Sequence, residues 1–201
     1  MGEEIILQQF KSWTAGLSPK DARRSVFSHI RDIPYAIIPE LRDPVRGPEG
    51  ILRLNKGSCQ PKHYLLFTLF NKLNLPVKLV TYSFKWADSA VRYPDELKKL
   101  IPQLPTTYHL ACKACIENKW VLIDATYDLA LKKVNFPVNE DWDGLSDTQN
   151  AVTPIEEIIH ANAEERVSFE SSKRALYTVK DKELYAEFID KFNSWLEIVR
   201  K

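Results

Sequence analysis

The sequence has almost no excess of charge of either sign. Its 28 Lys and Arg stand against 27 Asp and Glu, leaving +1. The electrostatic footprint of a nucleic-acid or anionic-membrane partner is therefore missing. No run of ~18 apolar residues occurs, so no transmembrane helix is expected. The start, Met1-Gly2-Glu3-Glu4-Ile5-Ile6, has no basic stretch ahead of an apolar one and reads as no signal peptide. Ile6 stands where myristoylation needs Ser or Thr. Three cysteines are an odd number and too few for a disulfide scaffold, which points to a reducing, cytoplasmic setting. Repeats and low-complexity stretches are absent too, and no pattern calls for a cofactor.

What remains is ordinary globular composition, 44% hydrophobic and 27% charged. The 201 residues suffice for one domain with a core that needs no staples. Ile5, Ile6, Phe10 and Trp13 recur at helical spacing. Ser18-Pro19-Lys20-Asp21 reads as the cap and first turn of a second helix that stops before Pro34. Ser58 precedes a helix from Cys59 whose apolar face is Leu65, Leu66, Leu69, Phe70 and Leu73. Val77 to Phe84 alternates as a strand, and Pro94 to Ile101 reads as a short helix. Tyr108 to Ile116 and Trp120 to Tyr127 read as two strands joined by a tight turn near Asn118. Thr153-Pro154-Ile155-Glu156 has the form of a capping box opening a helix. Leu184, Phe188, Ile189, Phe192, Trp195, Leu196 and Val199 form the core stripe of a final helix. The expected fold class is α+β.

Cys59 is the centre of chemical interest. At a helix start, free backbone N–H groups and the helix dipole favour thiolate over thiol. A free thiol of pKa ~8.5 is only a few per cent ionised at pH 7, and lowering it by ~2 units takes ~2.7 kcal/mol. A surface helix end contributes ~0.3–1 kcal/mol. An imidazolium partner is therefore needed, from His29, His63, His109 or His160. His29 and His160 read as ordinary helix residues. His63 shares a helix face with Cys59, but both would ride on one element. His109, on a strand, approaches from a neighbouring element and leaves a cleft between.

In a hairpin with its two-residue turn at Glu117-Asn118, His109 shares a face with both Asp124 and Asp128 as diagonal neighbours. Either carboxylate would orient the imidazole and favour its charged form. Spacing does not choose between them. Asp124 lies mid-strand, where the pair is less screened, whereas Asp128 lies at the strand's end, where solvent reaches.

Three blocks resemble the transglutaminase-like branch of papain-fold proteins. Val26-Phe27-Ser28-His29-Ile30-Arg31-Asp32-Ile33-Pro34-Tyr35 resembles the helix and "I-x-Y" segment ahead of the nucleophile. Gly57-Ser58-Cys59, the apolar helix and Leu73-Asn74-Leu75-Pro76-Val77 resemble the nucleophile block, with Asn74 where Gly is usual. His109-Leu110-Ala111 and Lys119-Trp120-Val121-Leu122-Ile123-Asp124-Ala125-Thr126 resemble the "H…W-x-x-x-D-x-T" block. Together they span about residues 21 to 127. The resemblance implies a nucleophile helix packed on a small antiparallel sheet, with extra N- and C-terminal helices, the latter over 140–201. It implies Cys59 as nucleophile, His109 as base and Asp124 as orienting acid, performing acyl transfer on an amide of a protein or peptide substrate.

Cys112-Lys113-Ala114-Cys115 is a lone C-x-x-C. On a strand its two thiols point to opposite faces, which gives neither a chelate nor a redox pair; Cys115 falls on the His109 side and would line the cleft. Two rival functions are a non-catalytic peptide-binding module and a metal site built from Cys59, His63, His109 and Asp124.

Overall fold

The computed structural model describes residues 2–201. Helices α1 (Gly2–Thr14), α2 (Pro19–Asp32) and α3 (Arg46–Leu54) precede the central helix α4 (Cys59–Lys72). Four strands follow, β1 (Val77–Phe84), β2 (Thr107–Ile116), β3 (Lys119–Ile123) and β4 (Glu156–His160), with the short helix α5 (Asp95–Leu100) between β1 and β2. Helices α6 (Ala163–Ala175) and α7 (Val179–Arg200) complete the fold, which is α+β. The sheet order is β3-β2-β1-β4 with every neighbouring pair antiparallel.

Two apolar layers hold it together. Leu65, Leu66, Leu69 and Phe70 of α4 pack on Leu79, Leu110, Cys112, Ala114 and Ile123 of the sheet and on Val26, Phe27 and Ile30 of α2. The second layer is aromatic. Phe188, Phe192, Trp195 and Leu196 of α7 meet Tyr35, Phe84, Trp86, Tyr93, Tyr127 and Phe136. The stripe expected on the final helix is thus a core stripe.

The turn between β2 and β3 has Glu117 at φ 49 and Asn118 at φ 64, the doubly left-handed geometry that two-residue hairpins require. Asn74, in place of Gly, takes φ 59, so an amide residue tolerates the turn that ends α4. Gly57 is needed for close approach. Its N–H donates to the Pro34 carbonyl at 3.1 Å and its carbonyl accepts from Ala36 N–H at 3.2 Å. A Cβ there would run into Ile51 and Pro61. The backbone around Tyr35 is thereby laid beside the start of α4.

Four expectations are corrected. Residues 153–155 open no helix; they lead into β4, which joins the free edge of β1, and Ile155 N–H donates to the Ser83 carbonyl at 2.8 Å. The pairing needs of an open edge outweigh the local cap signal. The segment 140–201 is therefore not wholly helical. His160 ends that strand, buried and 2.9 Å from Thr81 Oγ1 through Nε2, rather than lying on a helix. Strand β3 stops at Ile123 instead of reaching Tyr127, because the Asp124 N–H turns to Thr148 Oγ1 at 2.8 Å. Among the described residues, no helix is long and apolar enough to cross a membrane.

Candidate active site

Cys59 is the first residue of α4, with Ser58 in extended conformation ahead of it. Ser58 caps by position only; its hydroxyl makes no cap hydrogen bond. Cys59 is 9% exposed. Burial works against the thiolate, but the charge and hydrogen bond of the His109 imidazole, with the Leu110 N–H and the charge of Arg166, outweigh it and hold the thiol below its ordinary pKa. A helix end alone would not reach this.

His109 alternates on β2 with Leu110. Leu110 points into the α4 core, while His109 lies opposite Tyr82 across the β1 pairing and stacks on it at 6.3 Å. Its Nε2 sits 2.8 Å from Asp124 Oδ2, which leaves Nδ1 for the sulfur. Burial alone would strip the proton from this ring. The Asp124 carboxylate and Cys59 reverse the sign and raise its pKa to about 10.

Asp124 is 1% exposed, yet its oxygens are fully engaged. Oδ2 accepts from His109 and from Ala151 N–H, each at 2.8 Å. Oδ1 accepts from Thr126 Oγ1 at 2.6 Å and from Thr126 N–H at 3.2 Å. Burial would raise its pKa; His109 and these donors hold it well below the usual carboxylate range instead. A buried carboxylate so satisfied is a fixed negative charge.

The structure brings Cys59, His109 and Asp124 together and gives the other candidates different work. His63 Nδ1 lies 2.8 Å from the Cys59 carbonyl, and Nε2 accepts from Ala125 N–H at 3.0 Å. Nδ1 therefore carries the proton and the ring is neutral, and burial pushes its pKa down to about 4. Neither nitrogen keeps a lone pair for a metal. Among the described residues no group of three or more His, Cys, Asp or Glu is placed to hold one.

Asp128 is not solvated, as its place at a strand end suggested, but buried. It accepts from Tyr35 N–H at 2.8 Å and from Arg200 Nη2 at 2.7 Å. Cys115 also departs from expectation. It is half-buried beside Trp120 at the far end of the sheet and takes no part in the cleft. Cys112 is buried and its thiol lies 3.4 Å from the His63 carbonyl.

The space at the sulfur is small, about 30 Å³, walled by Tyr35, Trp86, Tyr127, Arg42, Arg174 and Tyr185 among others. Sequence reasoning missed two features of this wall. Trp86 Nε1 is a buried donor without a partner among the described residues, and its only sequence signal is an aromatic residue just after a strand. Gln60, next to the nucleophile, donates to Glu170 of α6 rather than facing the sulfur. A wider apolar pocket of about 260 Å³ adjoins the cleft and shares Phe84, Trp86, Tyr127 and Val152 with it.

No family model and no curated protein matches this sequence. Solved structures similar to it include two described as candidate proteases. A candidate cysteine protease from Cytophaga hutchinsonii is 14% identical, with a TM-score of 0.43 over 79% of this protein and 47% of that one. A candidate protease from Parabacteroides distasonis is 16% identical, with a TM-score of 0.42 over 63% of this protein and 24% of that one. The match spans less than half the length of either.

Proposed function

We propose that the protein is a thiol hydrolase or acyltransferase acting on an amide in a protein or peptide. The observation that carries this reading is the position of His109, held between the Cys59 thiol and the buried Asp124 carboxylate. The Cys59 thiolate attacks the amide carbonyl carbon and the C=O electrons move to oxygen. Trp86 Nε1 and the Cys59 N–H, which has no partner within the helix, are the donors available to that oxyanion. The C–N bond breaks as His109 Nδ1 gives its proton to the departing amine. Water or an amine then loses a proton to His109, attacks the thioester carbon and expels the thiolate.

Selective alkylation tests the reading. Exposure alone ranks Cys115 ahead of Cys59. Thiolate chemistry reverses the order, because the thiol pKa of Cys59 is lowered and that of the buried Cys112 raised by its burial. Limiting iodoacetamide at pH ~6 is expected to label Cys59 first. Labelling led by Cys115 removes the activated nucleophile and leaves the same cleft as a peptide-binding module.

A further inference from the structure

We propose that Arg42 and Arg174 form a carboxylate-binding subsite beside Cys59, so that the substrate is a peptide carrying a carboxylate next to the amide that is attacked. The proposal rests on Cys59 being the nucleophile and names the substrate class of that site. Arg42 lies on the short turn Pro39–Arg42 ahead of α3, and Arg174 lies in the last turn of α6. The two come from distant parts of the sequence, yet both wall the space at the Cys59 sulfur. Both also wall an adjoining groove of about 230 Å³, bounded by Asp43, Val167, Glu170 and Ser171. The arginine pair is thus the passage between groove and nucleophile.

Guanidinium groups outnumber the buried carboxylate there. Three guanidinium groups, of Arg42, Arg166 and Arg174, surround one buried carboxylate, Glu170. Arg166 Nη1 donates to it at 2.9 Å and Arg174 Nε at 2.6 Å, and Gln60 occupies it further. Arg166 is fully buried and keeps Nε and Nη2 without partners among the described residues. Arg42 is paired with no carboxylate among them. The other acid on the groove, Asp43, is exposed and turned to its own loop, where Oδ1 accepts from Val45 N–H at 2.9 Å and from Arg46 N–H at 2.7 Å. Burial and the like charge of Arg174 both bear against the proton of Arg42. Uncompensated positive charge in a desolvated cleft is costly. A carboxylate offsets it, and the planar fork of a guanidinium matches a carboxylate in two hydrogen bonds. The source of that carboxylate is either the free C-terminus of a peptide or an Asp or Glu within it.

The test uses an alkylating agent that carries a carboxylate and its neutral amide, iodoacetate and iodoacetamide, with the Cys59 adduct read by mass spectrometry. The His109 imidazolium also attracts iodoacetate, so the deciding quantity is the iodoacetate-to-iodoacetamide rate ratio in variants. Arg42→Gln is expected to lower that ratio roughly tenfold, and Arg42→Lys to restore part of it. Arg46→Gln removes the same charge from the exposed start of α3 and leaves the ratio unchanged. An equal ratio in wild type and Arg42→Gln overturns the subsite while leaving Cys59 as nucleophile. Loss of Cys59 selectivity with the neutral reagent in wild type is the separate failure of the nucleophile reading. A second arm measures protection of Cys59 against iodoacetamide by three peptides: acetyl-Gly-Gly-Gly with a free carboxylate, amidated acetyl-Gly-Glu-Gly, and amidated acetyl-Gly-Gly-Gly. Protection by the first assigns a C-terminal carboxylate, and protection by the second an acidic residue. Protection by neither beyond the neutral peptide overturns the proposal.

Discussion

Two buried carboxylates flank Cys59, and they are treated in opposite ways. Asp124, on the sheet side, receives four donors, one of them on a cation, and each of its oxygens is accounted for. Glu170, on the helical side, is crowded by guanidinium groups that outnumber it, one with N–H groups unpartnered among the described residues. The first arrangement is closed. It fixes one imidazole in one orientation, which is what a proton-transfer partner needs. The second is open, with surplus charge beside a solvent groove. On the proposed reading, chemistry and recognition take opposite walls of a single cleft, one built from β2 and the loops after β3 and the other from segments distant in the sequence.

The sharpest way to break this division is His109→Ala. If the sheet side alone activates the sulfur, alkylation of Cys59 at pH ~6 should fall by a factor on the order of 10² or more. The second strongest effect is on stability. His63→Ala should cost about 2–4 kcal/mol, because it empties a buried site and orphans the Ala125 N–H, measured by chemical denaturation. It should leave the Cys59 thiol pKa in place, and a collapse of reactivity there would transfer the base to α4. Third, Asp124→Asn should raise the thiol pKa, because it removes the charge that favours the imidazolium, followed by thiolate absorbance at ~240 nm. Asp128→Asn should instead lower stability by about 2 kcal/mol with the thiol unchanged, since its partners are Arg200 and Tyr35. A larger pKa shift in the Asp128 variant would reassign the orienting acid.

The gentlest test is the pH dependence of stability. The His109 pKa is raised to about 10, so its contribution is complete below the unfolded value of ~6.5 and fades as pH climbs from there to about 10. Asp124 is depressed, so its contribution is present above ~4 and is lost as pH falls below that. Denaturation midpoints of wild type and His109→Ala should therefore differ most near pH 6 and converge toward pH ~10.

The sequence was legible where the elements are strongly periodic or where a turn has one answer. A two-residue turn at Glu117-Asn118 predicts His109 and Asp124 on one face, and the two side chains do meet at 2.8 Å, although Asp124 lies one residue past the end of β3 rather than mid-strand. Asp128 was misjudged because sequence position cannot show that Arg200, 72 residues later, closes over it. β4 was hidden for a similar reason. Glu156 and Glu157 look like a helix's first turn, yet on an edge strand such charges are common protection against unwanted pairing, and Glu157 accepts from Tyr82 and Lys113. The arginine cluster was invisible, because Arg42, Arg166, Glu170 and Arg174 meet only through the packing of α6 near the start of α4.

Arg200 has a consequence for the order in which the molecule is made. Its Nη2 donates to the Tyr35 carbonyl, 165 residues back, and Asn193 brackets Ile37 through two hydrogen bonds across 156 residues. Contacts so distant in sequence form late, since loop closure precedes any gain from them. On the ribosome, where N-terminal parts emerge first, the helix bearing Cys59 and the strand bearing His109 are available long before the segment that seals Tyr35 against Asp128. The nascent polypeptide therefore passes through an interval in which Cys59 lacks its outer wall.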